Sequence, residues 1–508
     1  MDLELEQTRL NGYEAVVDTG LFPEETLEMI VPDACPDILR ILDTEGWVEL
    51  SGREAQEGRL ELSGTVRASV LYLPDGEEGV RRLEVSIPFT CGMENPKLNS
   101  RCVLTALPRV EAAETRALNP RKVLVRASLA LEVQAWLPRE EVVCSGVSGG
   151  DGTVEQLCEP CRTYGAVWVG EKPFSFADEV AIPGSRPAAA ELLKYRLSFS
   201  CNESKAIGSK LIFKGEADLR LLYRSMEGDL CQAEFQLPFS QIMEAAEAGE
   251  ECDCTLEIIP TSLQCTLEAG EGRMVQVSME LLAQAVLREE RSFSLLTDLY
   301  STAWTLEAQP AQCRLEHRVD LGSRSQMVRE VLECGALADL VADAYASVGR
   351  VSQSREGGRL NLEAEVVVTV LFQEEGGGLT SATRRFPVPC ALEAPEDAVC
   401  RCRCLCPEEV FATPTAGGVE VRFPVEFRYL LCSREERPGV SAARLDTDTP
   451  RSQEDQPSIV LRMVGRGERL WDIAKHYGTT AAEIRRANRL EEGELPPGEL
   501  LLIPKKRA

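Results

Sequence analysis

The sequence of 508 residues contains only two histidines and no phosphate-binding loop of the pattern G-x-x-x-x-G-K-[S/T]. His317 lies in the charged segment "RLEHRVD", and His476 lies in a predicted helix near the C-terminus. Two histidines offer few candidates for the general base of a hydrolytic triad. The sequence also does not support nucleotide binding by a P-loop. We therefore predict no catalytic residue, no metal site and no cofactor, and a protein that is not an enzyme.

The sequence also lacks a long hydrophobic run. The N-terminal stretch "MDLELEQTRLNGYE" has neither a basic region nor an apolar core, as a secretory signal would have. No stretch approaches the roughly 18 apolar residues that a membrane-spanning helix needs. Although aromatic residues make up only 6%, the hydrophobic share of 44% is enough for ordinary buried cores. The sequence therefore predicts a cytoplasmic, globular protein of several domains, without a transmembrane segment.

Positive charge is scarce except at one end. The net charge of −28 argues against binding to nucleic acid or to an anionic membrane, because both require a positive field. Residues 459–508, however, hold ten Lys or Arg against seven Asp or Glu, a net charge of +3, which leaves −31 for the remainder. The C-terminal segment is therefore expected to be a separate module.

Three copies of one unit follow each other along the chain. "VPDACPDILRIL" (31–42) and "IPGSRPAAAELL" (182–193) share their prolines at an offset of 151, and "LELSGTVRASVLY" (60–72) resembles "KLIFKGEADLRLLY" (210–223). A third version, "LNLEAEVVVTVLF", occupies 360–372. The period is longer than the roughly 20–50 residues of solenoid repeats, so we interpret these copies as tandem domains.

Within each copy, apolar and polar residues alternate, with Gly, Asp and Glu in the intervening turns. This pattern predicts half-buried strands, and the fold class is mainly β: three tandem antiparallel β-domains, sandwich or barrel-like. Only the start of each unit has helical spacing, as in "PDILRILDT", where Ile38, Leu39 and Leu42 fall at i, i+1 and i+4 behind the possible cap Asp37.

Nineteen cysteines are scattered through the chain, an odd number that does not indicate a disulfide framework, so reduced thiols are expected. The densest stretch is "CRCRCLC", residues 400 to 406. On a strand, Cys400, Cys402, Cys404 and Cys406 project from one face into a core, while Arg401 and Arg403 face solvent. A metal site and a redox site remain alternatives. "CEPC" (158–161) has a chelating spacing but no second pair, which favours a linker loop.

The C-terminal segment carries a recognisable motif. "GERLWDIAKHYGTT" (467–480), Asn488 and "PGELLLIP" (497–504) resemble a LysM domain, which implies an α+β fold of the order βααβ. Gly478 is the expected stop of the first helix, and Thr480 with Glu483 forms a capping box for the second.

The resemblance to LysM implies a groove, between two loops, that binds N-acetylglucosamine-containing glycan or a protein partner. This groove maps to Gly465, Arg466, Gly467, Glu468, Arg469, Glu494, Leu495, Pro496, Pro497 and Gly498. Glu468 and Arg469 depart from the usual G-D-T-L of the family. A basic face for a partner is expected on the second helix, from Arg485, Arg486 and Arg489; the alternative is an ordinary solvated helix surface.

The repeats resemble the SPOCS domain, once called DUF3794, of endospore-forming bacteria. Three SPOCS copies followed by one LysM domain are similar to the clostridial SipL family and, more distantly, to SpoVID of bacilli. The expected boundaries are 1–150, 173–295 and 296–432 for the three SPOCS-like domains and 459–508 for LysM, with linkers at 151–172 and 433–458, the second one flexible.

The resemblance implies a non-enzymatic scaffold for spore coat assembly. Such a protein works in the mother cell cytoplasm at the forespore surface and joins the SpoIVA-type morphogenetic ATPase to other coat proteins. The alternative is a peptidoglycan-binding protein at the cell wall or spore cortex, which would need an export route. A cell-wall hydrolase would need a catalytic domain, and the β-units offer none.

Overall fold

A computed structural model describes residues 3–149, 152–246, 249–335, 337–407, 409–451, 459–491, 495 and 497–504. Strands account for nearly all regular structure, and the two short helices lie in the C-terminal module. The elements are β1 (Glu4–Leu21), β2 (Glu24–Ile30), β3 (Ile38–Gln56), β4 (Arg59–Pro74), β5 (Arg81–Glu94), β6 (Val103–Asn119), β7 (Lys122–Ser148), β8 (Val154–Ala181), β9 (Ala189–Ile207), β10 (Lys210–Ser225), β11 (Leu230–Glu244), β12 (Asp253–Leu267), β13 (Met274–Ser301), β14 (Trp304–Leu332), β15 (Ala338–Glu356), β16 (Arg359–Glu374), β17 (Leu379–Glu393), β18 (Val399–Leu405), β19 (Phe411–Thr415), β20 (Gly418–Pro450), β21 (Ile459–Met463), α1 (Leu470–Tyr477), α2 (Ala481–Asn488) and β22 (Leu500–Pro504).

Three β-units repeat the same topology. Their first strands β1, β8 and β14 begin at Glu4, Val154 and Trp304, a constant offset of 150 residues. Each unit contains an antiparallel three-stranded meander: β3-β4-β5, β9-β10-β11 or β15-β16-β17. In each unit the long first strand also pairs with the long last strand, as β1·β7, β8·β13 and β14·β20. The mainly β fold class predicted from the alternation is therefore confirmed.

The meander of each unit packs against the sheet that contains its long strands, which makes each unit a β-sandwich with its own core. The sheets of units one and two are continuous, because β1 pairs with β8 at Tyr13 and Ala166. In unit three the core is formed by alternate residues of β16 and β20, whose inward side chains are fully or almost fully buried, among them Val366, Val368, Val370, Val421, Val425 and Phe427.

The helix predicted at the start of each unit is wrong, because these residues begin β3, β9 and β15. A β-bulge at Leu42 turns both Leu42 and Asp43 inward, so that Ile38, Leu42, Asp43 and Thr44 are all buried. The bulge breaks the two-residue alternation, and the broken pattern has the spacing of a helix.

Both predicted linkers are also mostly strand within the described residues. Residues 154–172 belong to β8, and residues 433–450 continue β20, while 452–458 lie outside the described residues. The polar composition arises because the paired long strands extend beyond the sandwiches as two-stranded ribbons with one face in solvent. The inner faces of the three ribbons meet in a shared core that includes Cys144, Leu296, Leu299, Val440 and Leu445.

The cysteine-rich stretch forms β18, which pairs with β20. Cys404 is fully buried, and Cys400, Cys402 and Cys406 pack against the core of unit three, as expected for one face of a strand. Arg401 and Arg403 do not face solvent, which corrects the prediction. They contact carboxylates of units one and two, because this side of β18 faces the neighbouring units: Asp18 with Arg401, and Glu257 and Glu132 with Arg403.

All nineteen cysteines are free thiols. Burial raises the pKa values of Cys402 and Cys404 well above the usual thiol range, which keeps both thiols protonated. Among the described residues, the one group of at least three potential metal ligands is Asp43, Glu45 and Asp343, and it contains no cysteine. None of the helices in the described residues has the length and apolarity needed to cross a membrane.

The C-terminal module has the order β21-α1-α2-β22, with β21 antiparallel to β22. Gly478 ends α1 in the left-handed conformation, with φ of 64°, as predicted. The hydroxyl of Thr480 accepts the Glu483 N–H at 3.0 Å, which confirms the N-cap of α2. The core of the module includes Ile473, Ala474, Ile484, Leu501 and Ile503.

Candidate functional site

Two loops of the C-terminal module meet at one end of its small sheet. The first runs from Val464 to Arg469 between β21 and α1, and the second ends at Gly498 before β22. Two backbone hydrogen bonds join them. The Val464 N–H donates to the backbone carbonyl of Glu499 at 2.8 Å, and the Gly498 N–H donates to the backbone carbonyl of Val464 at 2.9 Å. The structure therefore brings the two halves of the predicted groove together.

The side chain of Glu468 stabilises the conformation of the first loop. The Glu468 carboxylate accepts the Gly465 N–H at 2.9 Å and also pairs with Arg462. These contacts, with the backbone hydrogen bond first, lower the pKa of Glu468. Glu468 therefore fixes the loop, and the residues around it, Gly465, Arg466, Gly467 and Arg469, are exposed.

In the second loop, Pro497 and Gly498 are exposed, and Leu495 packs against the core of the module. Glu494 and Pro496 of the predicted groove lie outside the described residues.

A second cluster, which the sequence analysis missed, lies where the three β-units meet. We call it the ion layer: Asp43 and Glu45 of unit one, Lys194 and Arg196 of unit two, and Asp343 and Tyr345 of unit three. Lys194 Nζ lies 3.1 Å from both Glu45 and Asp343 and also contacts Asp43. Arg196 pairs with Glu45 and Asp343, and the Tyr345 hydroxyl donates to Asp43 at 3.0 Å.

Comparison with protein-family models identifies domains in the β-units and in the C-terminal module. Residues 37–118 and 188–268 match the family model described as the SipL SPOCS domain, and residues 463–504 match the LysM model. The chain contains two SPOCS domains and a LysM domain. No curated protein and no solved structure was found to match the chain.

The SPOCS matches cover the meander and the following strand of units one and two, β3 to β6 and β9 to β12. Their combination with LysM indicates a sporulation protein with a domain of a peptidoglycan-binding class. Both families are non-catalytic binding domains.

The ion layer is formed by equivalent positions of the three β-units. Asp43, Lys194 and Asp343 occupy the same position of their units, each opposite a leucine of the next strand, Leu71, Leu222 or Leu371. In each unit a bulge immediately precedes this position, at Leu42, Leu193 and Ala342. The three equivalent leucines pack together with Leu42 and Leu193 in an apolar cluster shared by all units. The units are therefore arranged around a common axis with approximate threefold symmetry.

Burial governs the charges of the ion layer. Desolvation by itself lowers the pKa of Lys194, but Asp43, Asp343 and Glu45 outweigh it and raise that pKa above the usual lysine value. Desolvation likewise raises the pKa of Asp343, and Arg196 and Lys194 outweigh it and hold that pKa well below its usual range. Lys194 and Asp343 therefore stay ionised around neutral pH.

The predicted basic face of the LysM domain lies on α2. Arg486 is 80% exposed in its side chain and has only a distant contact of 3.8 Å with Glu483, and Arg489 is exposed at the C-cap. Arg485 is half-buried. Arg486 and Arg489 are therefore the exposed cations of the predicted face.

The LysM domain is docked on the ribbons through α1. Asp298 of β13 accepts the indole N–H of Trp471 at 2.8 Å and the Lys475 ammonium at 2.6 Å. The Tyr300 ring lies 4.9 Å from the Trp471 ring, and its hydroxyl donates to Thr479 at 2.8 Å. Asp298 and Tyr300 are ordinary residues at the end of a long strand, and no sequence pattern indicated this contact.

Proposed function

We propose that this protein is a non-enzymatic scaffold of the spore envelope that acts in the mother cell cytoplasm at the forespore surface. It links the SpoIVA-type morphogenetic ATPase to other coat proteins through its SPOCS and LysM domains. The observation that carries the proposal is the presence of SPOCS and LysM matches on one chain.

The placement of the LysM domain supports this role. Trp471 and Lys475 of α1 contact the β-units, and Arg469 at the end of the first loop lies 4.0 Å from Glu159 of β8. Gly465, Arg466 and Gly467 of that loop and Arg486 and Arg489 at α2 are exposed. A partner can therefore bind without separating LysM from the β-units. The positive α2 face suits an acidic partner surface.

We propose further that residues 304–450 are a third SPOCS copy. This unit has the same meander, the same pairing of first and last strands and the same bulge as its two neighbours. The boundaries of the units as functional modules stay a prediction.

The test uses the full chain in two sedimentation assays, one with the purified SpoIVA-type ATPase and one with purified sacculi. We expect co-sedimentation with the ATPase, weakened at least about tenfold by the reversal of Arg485, Arg486 and Arg489 to Glu, since several charge pairs then become repulsive. The matched control is Lys97→Glu, an exposed cation of unit one that pairs with Glu14. Failure to bind the ATPase would overturn the scaffold proposal.

The second candidate function is glycan binding, and the exposed groove loops are the observation that favours it. In that case the chain would sediment with sacculi. Gly467→Trp should then abolish binding by filling the groove, whereas the α2 reversals should have little effect, because N-acetylglucosamine carries no charge.

A further inference from the structure

A cavity of about 410 Å³ lies where the three β-units meet. Its walls come from β3, β4 and β6 of unit one, β9 and β12 of unit two, and β15, β16, β17 and the end of β18 of unit three. Residues Asp43, Glu45, Lys194, Arg196 and Tyr345 of the ion layer form part of its wall. The volume falls in the range of roughly 300–1,000 Å³ that is typical of small-molecule sites.

Most of the wall away from the ion layer is apolar. Such a surface favours an occupant with an apolar or aromatic body, because contact with carbon replaces contact with water. The apolar lining residues include Trp47, Val110, Tyr195, Leu263, Val348 and Leu405.

The buried charged groups of the wall already have partners of opposite sign. Arg109 pairs with Glu132, and Glu111 pairs with Arg385 at 2.6 Å. Lys194 and Arg196 are surrounded by the carboxylates of the ion layer. A charged ligand would lose its hydration without gaining a free counter-charge, so the cavity suits an uncharged one.

Three buried polar atoms of lining residues have no hydrogen-bond partner among the described residues: Nε1 of Trp47, the hydroxyl oxygen of Ser69 and Nε of Arg109. The Trp47 ring packs on Tyr195 with 5.0 Å between centroids, and its N–H can only donate. The Nε1 atom has almost no accessible surface, so an occupant brings it an acceptor oxygen only with a shift of the indole ring towards the cavity. That contact would remove the cost of a buried donor without an acceptor.

We propose that the cavity binds one uncharged, ring-containing organic molecule with a carbonyl or ether oxygen that accepts from Trp47. The site goes beyond the scaffold function, which requires no ligand. Because all three units supply wall residues, binding depends on the assembled units and stabilises them against separation.

The test uses prodan, an uncharged naphthalene ketone whose emission shifts to the blue in apolar surroundings, with the full chain. We expect saturable binding of one molecule per chain, a blue-shifted emission and a rise in the thermal unfolding midpoint. Trp47→Phe keeps the ring and removes the N–H, and it should weaken binding about threefold to tenfold. The control Trp168→Phe alters an indole outside the lining and should leave the affinity unchanged.

A second variant fills the cavity. Ser347 and Leu405 line it from different strands, and the pair Ser347→Trp and Leu405→Trp should abolish prodan binding while circular dichroism shows a folded chain. Absence of saturable binding to the wild type, or unchanged binding to the folded double variant, would overturn the proposal. If the double variant does not fold, Trp47→Phe decides, because affinity equal to wild type contradicts the assigned acceptor contact.

Discussion

The junction of the three β-units and the LysM docking surface are both contacts within one chain, but they differ in what holds them. At the junction, equivalent positions of three repeats form layers of buried leucines and buried ions. At the docking surface, α1 and Thr479 contact Asp298 and Tyr300; the polar contacts of Asp298 are partly exposed, and the Tyr300 side chain is buried.

The comparison shows how a repeated fold can acquire a fixed order. Three identical copies would place three like charges at the position of Asp43, Lys194 and Asp343, and like charges in a buried layer repel. At this position Lys194 of unit two lies between Asp43 of unit one and Asp343 of unit three. The buried charges are therefore balanced only when all three units are assembled. The β-units therefore form one body, and LysM is an attachment to it.

The largest effect should come from the centre of the ion layer. Lys194→Met leaves three buried carboxylates with Arg196 alone and should lower the free energy of unfolding by about 3–5 kcal/mol, measured by urea denaturation. The matched control is Lys97→Met, whose side chain is 63% exposed and pairs with Glu14 at 3.3 Å. It should cost less than about 1 kcal/mol. Equal losses in the two variants would contradict a stabilising junction.

The pH dependence of stability tests the same layer from its acids. Because the folded-state pKa of Asp343 is held below its unfolded value, this group contributes stability above about pH 4 that is lost as the pH falls through the folded value. The wild type should therefore lose stability more steeply between about pH 5 and pH 2 than Asp343→Asn does, as measured by urea midpoints. Parallel curves would show that Asp343 is not coupled to the cations.

A smaller effect is expected at the docking surface. Asp298→Ala removes the acceptor of both Trp471 and Lys475, and hydrogen bonds to charged groups are worth about 1.5–3 kcal/mol. Limited proteolysis should release the LysM domain about tenfold faster or more, while the unfolding midpoint of the β-units stays unchanged. Asp472→Asn is the control, because Asp472 lies on the same helix and pairs with Arg469 inside LysM. Equal release from both variants would place the docking contact elsewhere.

The smallest effect concerns β18. Cys404→Ala removes a small, fully buried side chain and should cost about 1 kcal/mol in the free energy of unfolding. The loss should be the same with added zinc and with a chelator, because burial keeps the thiol protonated. A loss that appears only in the presence of zinc would restore the metal interpretation.

The strands could be predicted because each has one face in a core, so that Leu60, Leu62 and Val66 alternate with exposed or half-exposed residues. The LysM helices could be predicted from Gly478 and Thr480, which are local signals. The start of each unit could not, because the bulge at Leu42 is imposed by packing against the other units. The ribbons were mistaken for linkers because their exposed faces are as polar as a linker.

The ion layer was also beyond the sequence analysis, although a signal for it exists. Aligned by repeat, Asp43, Lys194 and Asp343 fall in one column, and so do Glu45, Arg196 and Tyr345. Read singly, each is an ordinary charged residue of a half-exposed strand. A repeat position with opposite charges in different copies is a pattern that indicates contact between copies.

The pairing of the first and last strands of each unit has a consequence during protein synthesis. The partners of β1 lie up to Ser148, and those of β14 run from Val419 to Pro450. A unit can therefore close only when the ribosome has delivered nearly all of its residues, and until then its first strand emerges with an open edge. The nascent chain must protect these edges three times in succession, and the ion layer can form only after the third unit leaves the exit tunnel.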